Sequence, residues 1–306
     1  GYTIPAGLAG CQTQVKNYNF TAPLVLSTGP HKLKIWVNTP NGTYPDGDVT
    51  NDSLIVNLYT AMSGTYVIDP LGTGNFLTFK AATDALASGG IYGPTIFKVL
   101  AGTYNEQVTV PPVSGVSATN TLTFDGGAGN AATRIIQYAA TAAANSHVFQ
   151  INNCSYVTVK NLKMVSNGAS YGCGIHVFGV CNYTVIKNNI ITYGASGLGA
   201  TGAAFMGIAV LNTATTSSIG QCSSSQATTF EILIDSNTIT GGGWGIEATP
   251  GGTNPAGISA LVISNNIITN VYYGIIHSSE RGIAVKYNII IGKSGAQYGI
   301  YGCNGS

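Results

Sequence analysis

The chain of 306 residues carries 12 basic and 11 acidic side chains, and its charged fraction of 8% lies far below the roughly 25% of ordinary soluble domains. A net charge of +1 provides no basic surface for a phosphate backbone, so nucleic acid is not an expected partner. The 44% of hydrophobic residues suffices for a large core, yet no apolar run reaches the roughly 18 residues that span a bilayer.

The sequence pattern of residues 1–62 is typical of a β-sandwich. Two alternating segments, HKLKIWVNTP and DSLIVNLYT, flank the turn-rich stretch NGTYPDGDVTN, which predicts a β-hairpin with Leu33, Ile35 and Val37 on one face. Few strands precede this hairpin. We therefore interpret residues 1–62 as the C-terminal part of an Ig-like β-sandwich.

The next segment, residues 64–125, contains one predicted helix and two predicted strands. The stretch FLTFKAATDALASGG places Phe76, Phe79 and Leu86 on an apolar stripe that ends at Gly89 and Gly90. The strand-like pieces TIFKVLAG and EQVTVPPV follow. We interpret this segment as the N-terminal cap of a second domain, residues 63–306.

From about residue 147 onward the sequence repeats itself. The segments VTVKNLKM, TVIKNNII, ILIDSNTI, LVISNNII and AVKYNIII align without gaps, at steps of 22 to 29 residues apart from one step of 48. A period of this length, with two short β-rich segments per unit and no helix, predicts a solenoid of strands. A Gly-Ile pair also recurs once per unit, at Gly174, Gly207, Gly245, Gly274 and Gly299.

An asparagine occupies the same place in four of these units, between side chains predicted to point inward. Thr184 and Ile186 precede Asn189, for example, and Ile191 follows it. Stacked side-chain amides can bond to one another and to the turning backbone, whose polar groups would otherwise be buried without partners. The pattern therefore predicts an internal ladder of Asn189, Asn237, Asn266 and Asn288.

The long step implies an excursion from the stack, roughly residues 194–229. Between the inward positions runs a column that is apolar although it points outward, and such a strip is usually covered or used for binding. The excursion is the expected cover, and a partner surface is the alternative. The members of this column are Val185, Leu233, Val262 and Ala284.

The six cysteines lack the CxxC spacing of zinc sites and predict disulfides in an oxidising compartment. Cys154 and Cys181 occupy equivalent places in consecutive units, and stacked strands lie about 4.8 Å apart, so we predict a bond between them. A second bond, Cys173–Cys222, would tie the excursion to the stack. The connectivity of Cys11 and Cys303, near the two ends, stays open.

Residues 64–110 resemble the N-terminal cap of right-handed parallel β-helix proteins such as pectin methylesterases. The shared order is a Gly-x-Gly-x-Phe motif, a helix, a strand and a Gly-x-Tyr-x-Glu-x-Val motif. In this sequence the motif residues are Gly72, Gly74, Phe76, Gly102, Tyr104, Glu106 and Val108. The resemblance implies an all-β fold, a right-handed parallel β-helix with a helical cap (the pectin-lyase-like fold).

Taken whole, the sequence resembles large secreted surface proteins of Bacteroidetes, which join Ig-like modules to such helices and leave the cell by type IX secretion. This resemblance implies an adhesin-like protein at the outer cell surface. The chain ends within a coil, at GIYGCNGS, so we expect either a longer polypeptide or a second copy that covers the open end.

Catalytic motifs of the related enzymes are absent. Polysaccharide hydrolases need a carboxylate pair, and Glu231 and Asp235 lie about 13 Å apart at ordinary strand rise, too far for either common geometry. A polysaccharide lyase acting on an acidic glycan is the alternative function, and its best candidate residues are Arg281, Lys286, Glu247 and Glu280. We expect Lys187 and Asp235 to form an exposed ion pair. We also expect the histidines, including His176, to lie at the surface.

Two further sites have weaker support. Asp46, Asp48 and Asp52 lie in one turn and could hold calcium, although a solvated hairpin turn explains the same residues. No other cofactor is expected. Ser53 matches a short O-glycosylation signal that the resembled surface proteins carry.

The function predicted from these observations is adhesion or structural support at the cell surface, with carbohydrate as a candidate ligand. Expected partners are further domains of a longer chain or other surface proteins. Tyrosine offers an apolar face with a polar tip, which suits stacking on sugar rings. The candidate tyrosines are Tyr171, Tyr193, Tyr272, Tyr273, Tyr298 and Tyr301.

Overall fold

The computed structural model describes residue 26 and residues 30–36, 53–211, 229–249, 260–278 and 282–303. Strands are numbered β1–β24 and helices α1 and α2 in chain order. The first two strands, β1 (Pro30–Trp36) and β2 (Ser53–Tyr59), pair antiparallel, which is the predicted hairpin. The Ig-like identity of residues 1–62 and the two domain boundaries stay predictions.

The rest of the chain winds into three parallel sheets, so the protein is a right-handed parallel β-helix as predicted. Each complete coil contributes three strands, one to each sheet, whereas the sequence indicated only two β segments per unit. The first sheet contains β3 (Met62–Ile68), β4 (Ile91–Val99), β7 (Leu122–Asp125), β10 (Val157–Lys160), β13 (Thr184–Lys187), β16 (Ile232–Asp235), β19 (Leu261–Ser264) and β22 (Ile283–Lys286).

The second and third sheets follow in every coil. The second contains β5 (Gly102–Asn105), β8 (Arg134–Tyr138), β11 (Lys163–Ser166), β14 (Ile190–Tyr193), β17 (Thr238–Thr240), β20 (Ile267–Val271) and β23 (Ile289–Gly292). The third contains β6 (Val108–Val110), β9 (His147–Asn152), β12 (Gly172–Phe178), β15 (Phe205–Leu211), β18 (Trp244–Ala248), β21 (Tyr273–Ser278) and β24 (Tyr298–Cys303).

The cap is the helix α1 (Phe79–Gly89), which buries Phe79, Ala82 and Leu86 on one face. Thr78 accepts a hydrogen bond from the N–H of Ala81, and the Glu106 carboxylate accepts bonds from the N–H groups of Phe79 and Lys80. Part of the resembling motif is therefore structural, because Glu106 binds the free donors of the first helical turn. Regular coils already begin at β4, inside the segment interpreted as the cap.

The predicted asparagine ladder is present at the corner between the first and second sheets. The side chain of Asn189 donates to Asn237 (3.1 Å), that of Asn237 to Asn266 (3.0 Å) and that of Asn266 to Asn288 (2.9 Å). Each of these amides also donates to a backbone carbonyl of the preceding coil, at 2.8–3.0 Å. The residue before each ladder asparagine has a positive φ, which turns the chain sharply at this corner.

The Gly-Ile marker has a steric cause. In four of the five markers the Ile lies in the main core and the preceding glycine also faces inward, so two consecutive residues turn toward the core. The last marker differs, since Ile300 is exposed and a Cβ on Gly299 would have no heavy atom within 4 Å. A Cβ on Gly207 would lie 2.3 Å from the carbonyl oxygen of Gly245, and a Cβ on Gly245 would lie 2.6 Å from that of Gly274. Adjacent coils are therefore too close at this column for any side chain.

The predicted excursion from the stack is only partly correct. Residues 205–211 form β15, a regular strand of the third sheet, and α2 (Ala195–Gly199) lies just before it. Three groups hold this helix, since the carbonyl of Gly197 accepts from the N–H of Gly242 and that of Leu198 accepts from Asn270 and Lys293. Residues 212–228 lie outside the described residues.

Candidate functional site on the third sheet

The outer face of the third sheet carries several buried polar side chains and a row of aromatic rings. Its side chains form two parallel columns, which contain the residues immediately before and immediately after each Gly-Ile marker. The first column is Cys173, Met206, Trp244, Tyr273 and Tyr298. The second is Gln150, His176, Ala209, Glu247, Ile276 and Tyr301.

Aromatic rings occupy the later coils of these columns, and we call Trp244, Tyr272, Tyr273, Tyr298 and Tyr301 the aromatic strip. Ring centroids of Trp244 and Tyr273 lie 5.1 Å apart, and those of Tyr273 and Tyr298, which are stacked, lie 5.8 Å apart. Tyr301 packs beside Tyr298 at 5.1 Å. Exposure increases along the strip, from buried Trp244 through half-buried Tyr273 to exposed Tyr298. The accessible part of the strip therefore consists of its tyrosines, with Tyr298 the most exposed.

Glu247 lies next to the aromatic strip and is fully buried, with no hydrogen-bond partner for either carboxylate oxygen. Its neighbours in register are Ala209 and Ile276, which offer no polar group. Desolvation by this burial raises the pKa of Glu247 from 4.5 to about 8. Glu247 is therefore a neutral carboxylic acid at pH 7, and it is the only carboxylate in the described strands of the third sheet.

Two buried histidines lie on the same face, toward the earlier coils. The amide of Gln150 donates to Nδ1 of His176 (3.2 Å), and the hydroxyl of Thr109 lies 3.1 Å from Nε2 of His147. Burial lowers the pKa of His147 to about 4, so its imidazole is neutral. The prediction that His176 is a surface residue is wrong, because its side chain is completely buried although it points outward from the coil.

The cysteines differ from the sequence prediction. Cys154 and Cys181 are buried free thiols, so the predicted bond between them is absent from the structure. Cys181 donates instead to the carbonyl oxygens of Ile151 and Phe178, at 3.5 and 3.2 Å. Cys173 is also a buried free thiol in the structure. The predicted Cys173–Cys222 bond is therefore absent from the structure as well, and Cys222, like Cys11, lies outside the described residues.

The residues proposed for a lyase do not come together among the described residues. Glu247 lies on the third sheet and Lys286 on the first, where it pairs in register with Ser264. Glu280 and Arg281 lie outside the described residues, as do Asp46, Asp48 and Asp52. No group of three metal-binding side chains occurs in the described ranges. Ser53 is exposed at the start of β2, and its glycosylation stays a prediction.

Three other expectations need correction or completion. Lys187 and Asp235 are in register but form no salt bridge, because the Asp235 carboxylate accepts hydrogen bonds from Ser236, Ser264 and Asn265 instead. Tyr193, expected at the surface, is buried. The outward apolar column of the first sheet is half-buried, and what covers it stays open.

Sequence reasoning singled out Glu247 for its chemistry but missed its burial and the role of Trp244. The signal that could have found them is the Gly-Ile marker itself, because the residues on either side of it point outward in every coil. Alignment of these flanking positions brings the aromatic strip and the polar column together from the repeat pattern alone. Such an alignment does not show which of these side chains are buried by other parts of the chain.

The fold defines the protein as a right-handed parallel β-helix protein, and comparisons with known proteins add no family. No protein-family model and no curated protein matches the chain. Among solved structures, the chain is similar to a GH136 lacto-N-biosidase from Eubacterium ramulus, with 12% identity and a TM-score of 0.37. The match covers 78% of this chain and 60% of that one. No helix in the described ranges has the length and apolarity to cross a membrane.

The buried Glu247 predicts an unusual dependence of stability on pH. Its pKa is higher in the folded than in the unfolded chain, so the folded state keeps a proton that the unfolded state releases. The contribution of Glu247 to the free energy of unfolding is therefore complete below pH ~4.5. It is lost as the pH rises toward ~8, at about 1.4 kcal/mol per pH unit. His147 has the opposite sign, because its lowered pKa makes stability rise between pH ~4 and ~6.5. We expect Glu247 to dominate between pH ~6.5 and ~8.

Glu247→Gln isolates this effect. At pH 7 we expect the free energy of unfolding of the variant to be about 3 kcal/mol higher than that of the wild type. The decline in stability of the wild type between pH ~6.5 and ~8 should be absent in the variant. Urea denaturation from pH 5 to 9 measures both, and the exposed Asp84→Asn is the matched control. Parallel stability curves for Glu247→Gln and the wild type would show that Glu247 is ionised in the folded protein.

Proposed function

We propose that this protein acts outside the cell or at its surface, where its β-helix binds carbohydrate through the aromatic strip and serves adhesion or structural support. The observation that carries the proposal is the row of tyrosines on the later coils of the third sheet, where exposed Tyr298 lies beside Tyr273 at 5.8 Å and beside Tyr301 at 5.1 Å. Coils repeat about every 4.8 Å, so the accessible parts of Tyr273, Tyr298 and Tyr301 form one surface along which an extended ligand can lie. Aromatic faces with polar edges suit sugar rings, which have apolar faces and hydroxyl edges.

The charge on the third sheet supports a neutral glycan as the ligand. The described strands of this sheet contain no Lys or Arg, and their one carboxylate, Glu247, is neutral at pH 7. An acidic glycan would need cationic partners for its carboxylates, most effectively Arg or Lys. A neutral glycan has no such requirement.

Mutation of the exposed tyrosine tests the proposal. Tyr298→Ala should weaken binding of a neutral polysaccharide about tenfold, because it removes the most exposed aromatic face of the strip. Co-elution in size-exclusion chromatography and calorimetric titration with soluble neutral and acidic polysaccharides measure the effect. Tyr92→Ala is the matched control, since Tyr92 is 64% exposed and lies on the first sheet. Equal weakening by both variants, or no binding by the wild type, would contradict the proposal.

The alternative is a polysaccharide lyase or hydrolase. The raised pKa of Glu247 suits a general acid, but its complete burial keeps the carboxyl group away from any substrate in this conformation. A second carboxylate is missing from the described strands of the third sheet, which argues against hydrolysis by a carboxylate pair. Chain shortening of any polysaccharide in the same experiment, abolished by Glu247→Gln, would establish an enzyme. Adhesion through an Ig-like module, type IX secretion and partners at the cell surface are further parts of the proposal.

A further inference from the structure

A groove of about 430 Å³ runs along the corner between the first and second sheets, on a different side of the β-helix from the aromatic strip. Its wall is the connection between β7 and β8, residues 126–133. In later coils this corner takes only two residues, such as Asn188 and Asn189, whereas here it takes eight. The extra residues project beside the next three coils and enclose the groove. Its volume falls within the range of small-ligand sites.

The side chains that line the groove are uncharged and polar. Asn161, Asn188, Ser236 and Thr238 contribute amides and hydroxyls, and the wall contributes small residues including Ala128 and Ala132. No charged side chain belongs to the lining among the described residues. The donors and acceptors are also well separated, because they come from three successive coils. Such a surface recognises neither an anion nor an apolar ligand well.

The backbone at Asn188 and the side chains of Ser236 and Asn161 are held in place before any ligand binds. Asn188 has φ 55°, and its N–H donates to the carbonyl of Asp235 in the next coil at 3.1 Å. Ser236 has φ 57° and donates its hydroxyl to the Asp235 carboxylate at 2.9 Å, which leaves its oxygen lone pairs to accept. Asn161 uses its NH2 group on Asp125, so its amide oxygen remains an acceptor. Preorganised polar groups bind with little loss of conformational entropy.

From this arrangement we infer that the corner groove binds an uncharged, hydroxyl-rich ligand, a neutral oligosaccharide. The amide of Asn188, exposed at the middle of the groove, provides both a donor and an acceptor for ligand hydroxyls. Ser236 and Asn161 provide further acceptors on either side. The site is separate from the aromatic strip, and the inference does not depend on the function proposed for the strip.

Two variants test the groove without disturbing the ladder. Asn188→Gly removes the amide and keeps the positive φ that glycine adopts readily, and Ala132→Trp fills the groove from its exposed wall. The matched control is Tyr287→Gly, at the equivalent corner position of a later coil (φ 58°), exposed and outside the groove lining. Calorimetric titration with cellohexaose, mannohexaose and oligogalacturonate measures the dissociation constants, and Tyr298→Ala reports binding at the strip separately.

We expect at least one neutral oligosaccharide to bind, with affinity about tenfold weaker in Asn188→Gly and lost in Ala132→Trp. Tyr287→Gly and Tyr298→Ala should retain that binding. The inference is overturned if neither neutral oligosaccharide binds or if Ala132→Trp binds as the wild type does. It is also overturned if oligogalacturonate is preferred, or if Tyr298→Ala alone abolishes binding, since the ligand would then occupy the strip.

Discussion

Gly207→Ala is expected to destabilise the fold by about 3–5 kcal/mol. The new Cβ would lie 2.3 Å from the Gly245 carbonyl oxygen and 2.7 Å from the side chain of Ile239. The contact with Gly245 is with the backbone of the next coil, so no change of side-chain rotamer can relieve it. Relief requires the two coils to separate, which weakens the hydrogen bonds between β15 and β18.

The measurement is urea unfolding followed by circular dichroism, with Gly199→Ala as the matched control. Gly199 lies in α2, and a Cβ there would have no heavy atom within 4 Å. Alanine at this position should leave stability unchanged or raise it by up to about 1 kcal/mol. If Gly207→Ala unfolds at the same urea concentration as the control, the close approach of coils at the glycine column is not real.

Asn237→Ala should cost about 3–5 kcal/mol, because several buried polar groups lose their partners at once. The Asn237 amide donates to the Ile186 carbonyl at 2.9 Å and to Asn266 at 3.0 Å. Its oxygen accepts from the backbone N–H and the side chain of Asn189. All of these groups are excluded from water, so alanine leaves them unpaired in the interior.

The neighbouring coil shows how the ladder position can be apolar at lower cost. Leu162 occupies the equivalent place before Asn189, and its N–H donates to the Asn189 side chain at 3.1 Å. Because the ladder ends at Asn189, the side chain at position 162 does not have to bond to an asparagine in each of the two adjacent coils. The exposed Asn105→Ala is the control and should change stability by less than about 0.5 kcal/mol. A loss for Asn237→Ala as small as that of Asn105→Ala would contradict the proposed ladder.

Much of the architecture was predictable because a β-helix repeats its local constraints in every coil. The recurring Asn and Gly-Ile pairs report contacts between equivalent residues of adjacent coils, so their period alone indicates stacking. The third strand of the coil escaped notice because both of its faces are buried in the middle coils, and a strand such as Phe205–Leu211 shows no alternation of polar and apolar residues. The same burial hid a regular strand inside the expected excursion.

The sequence by itself determined the solenoid, its helical cap and the asparagine ladder, since these depend on local periodicity and on residue types with one structural use. Only the tertiary structure decided which outward-facing groups are buried. Glu247 and His176 follow the Gly-Ile marker as Tyr301 does, yet both are buried and Tyr301 is partly exposed. The loop 126–133 encloses a groove together with residues from coils far along the chain. Burial and enclosure depend on what packs from elsewhere in the chain, and local sequence carries no record of it.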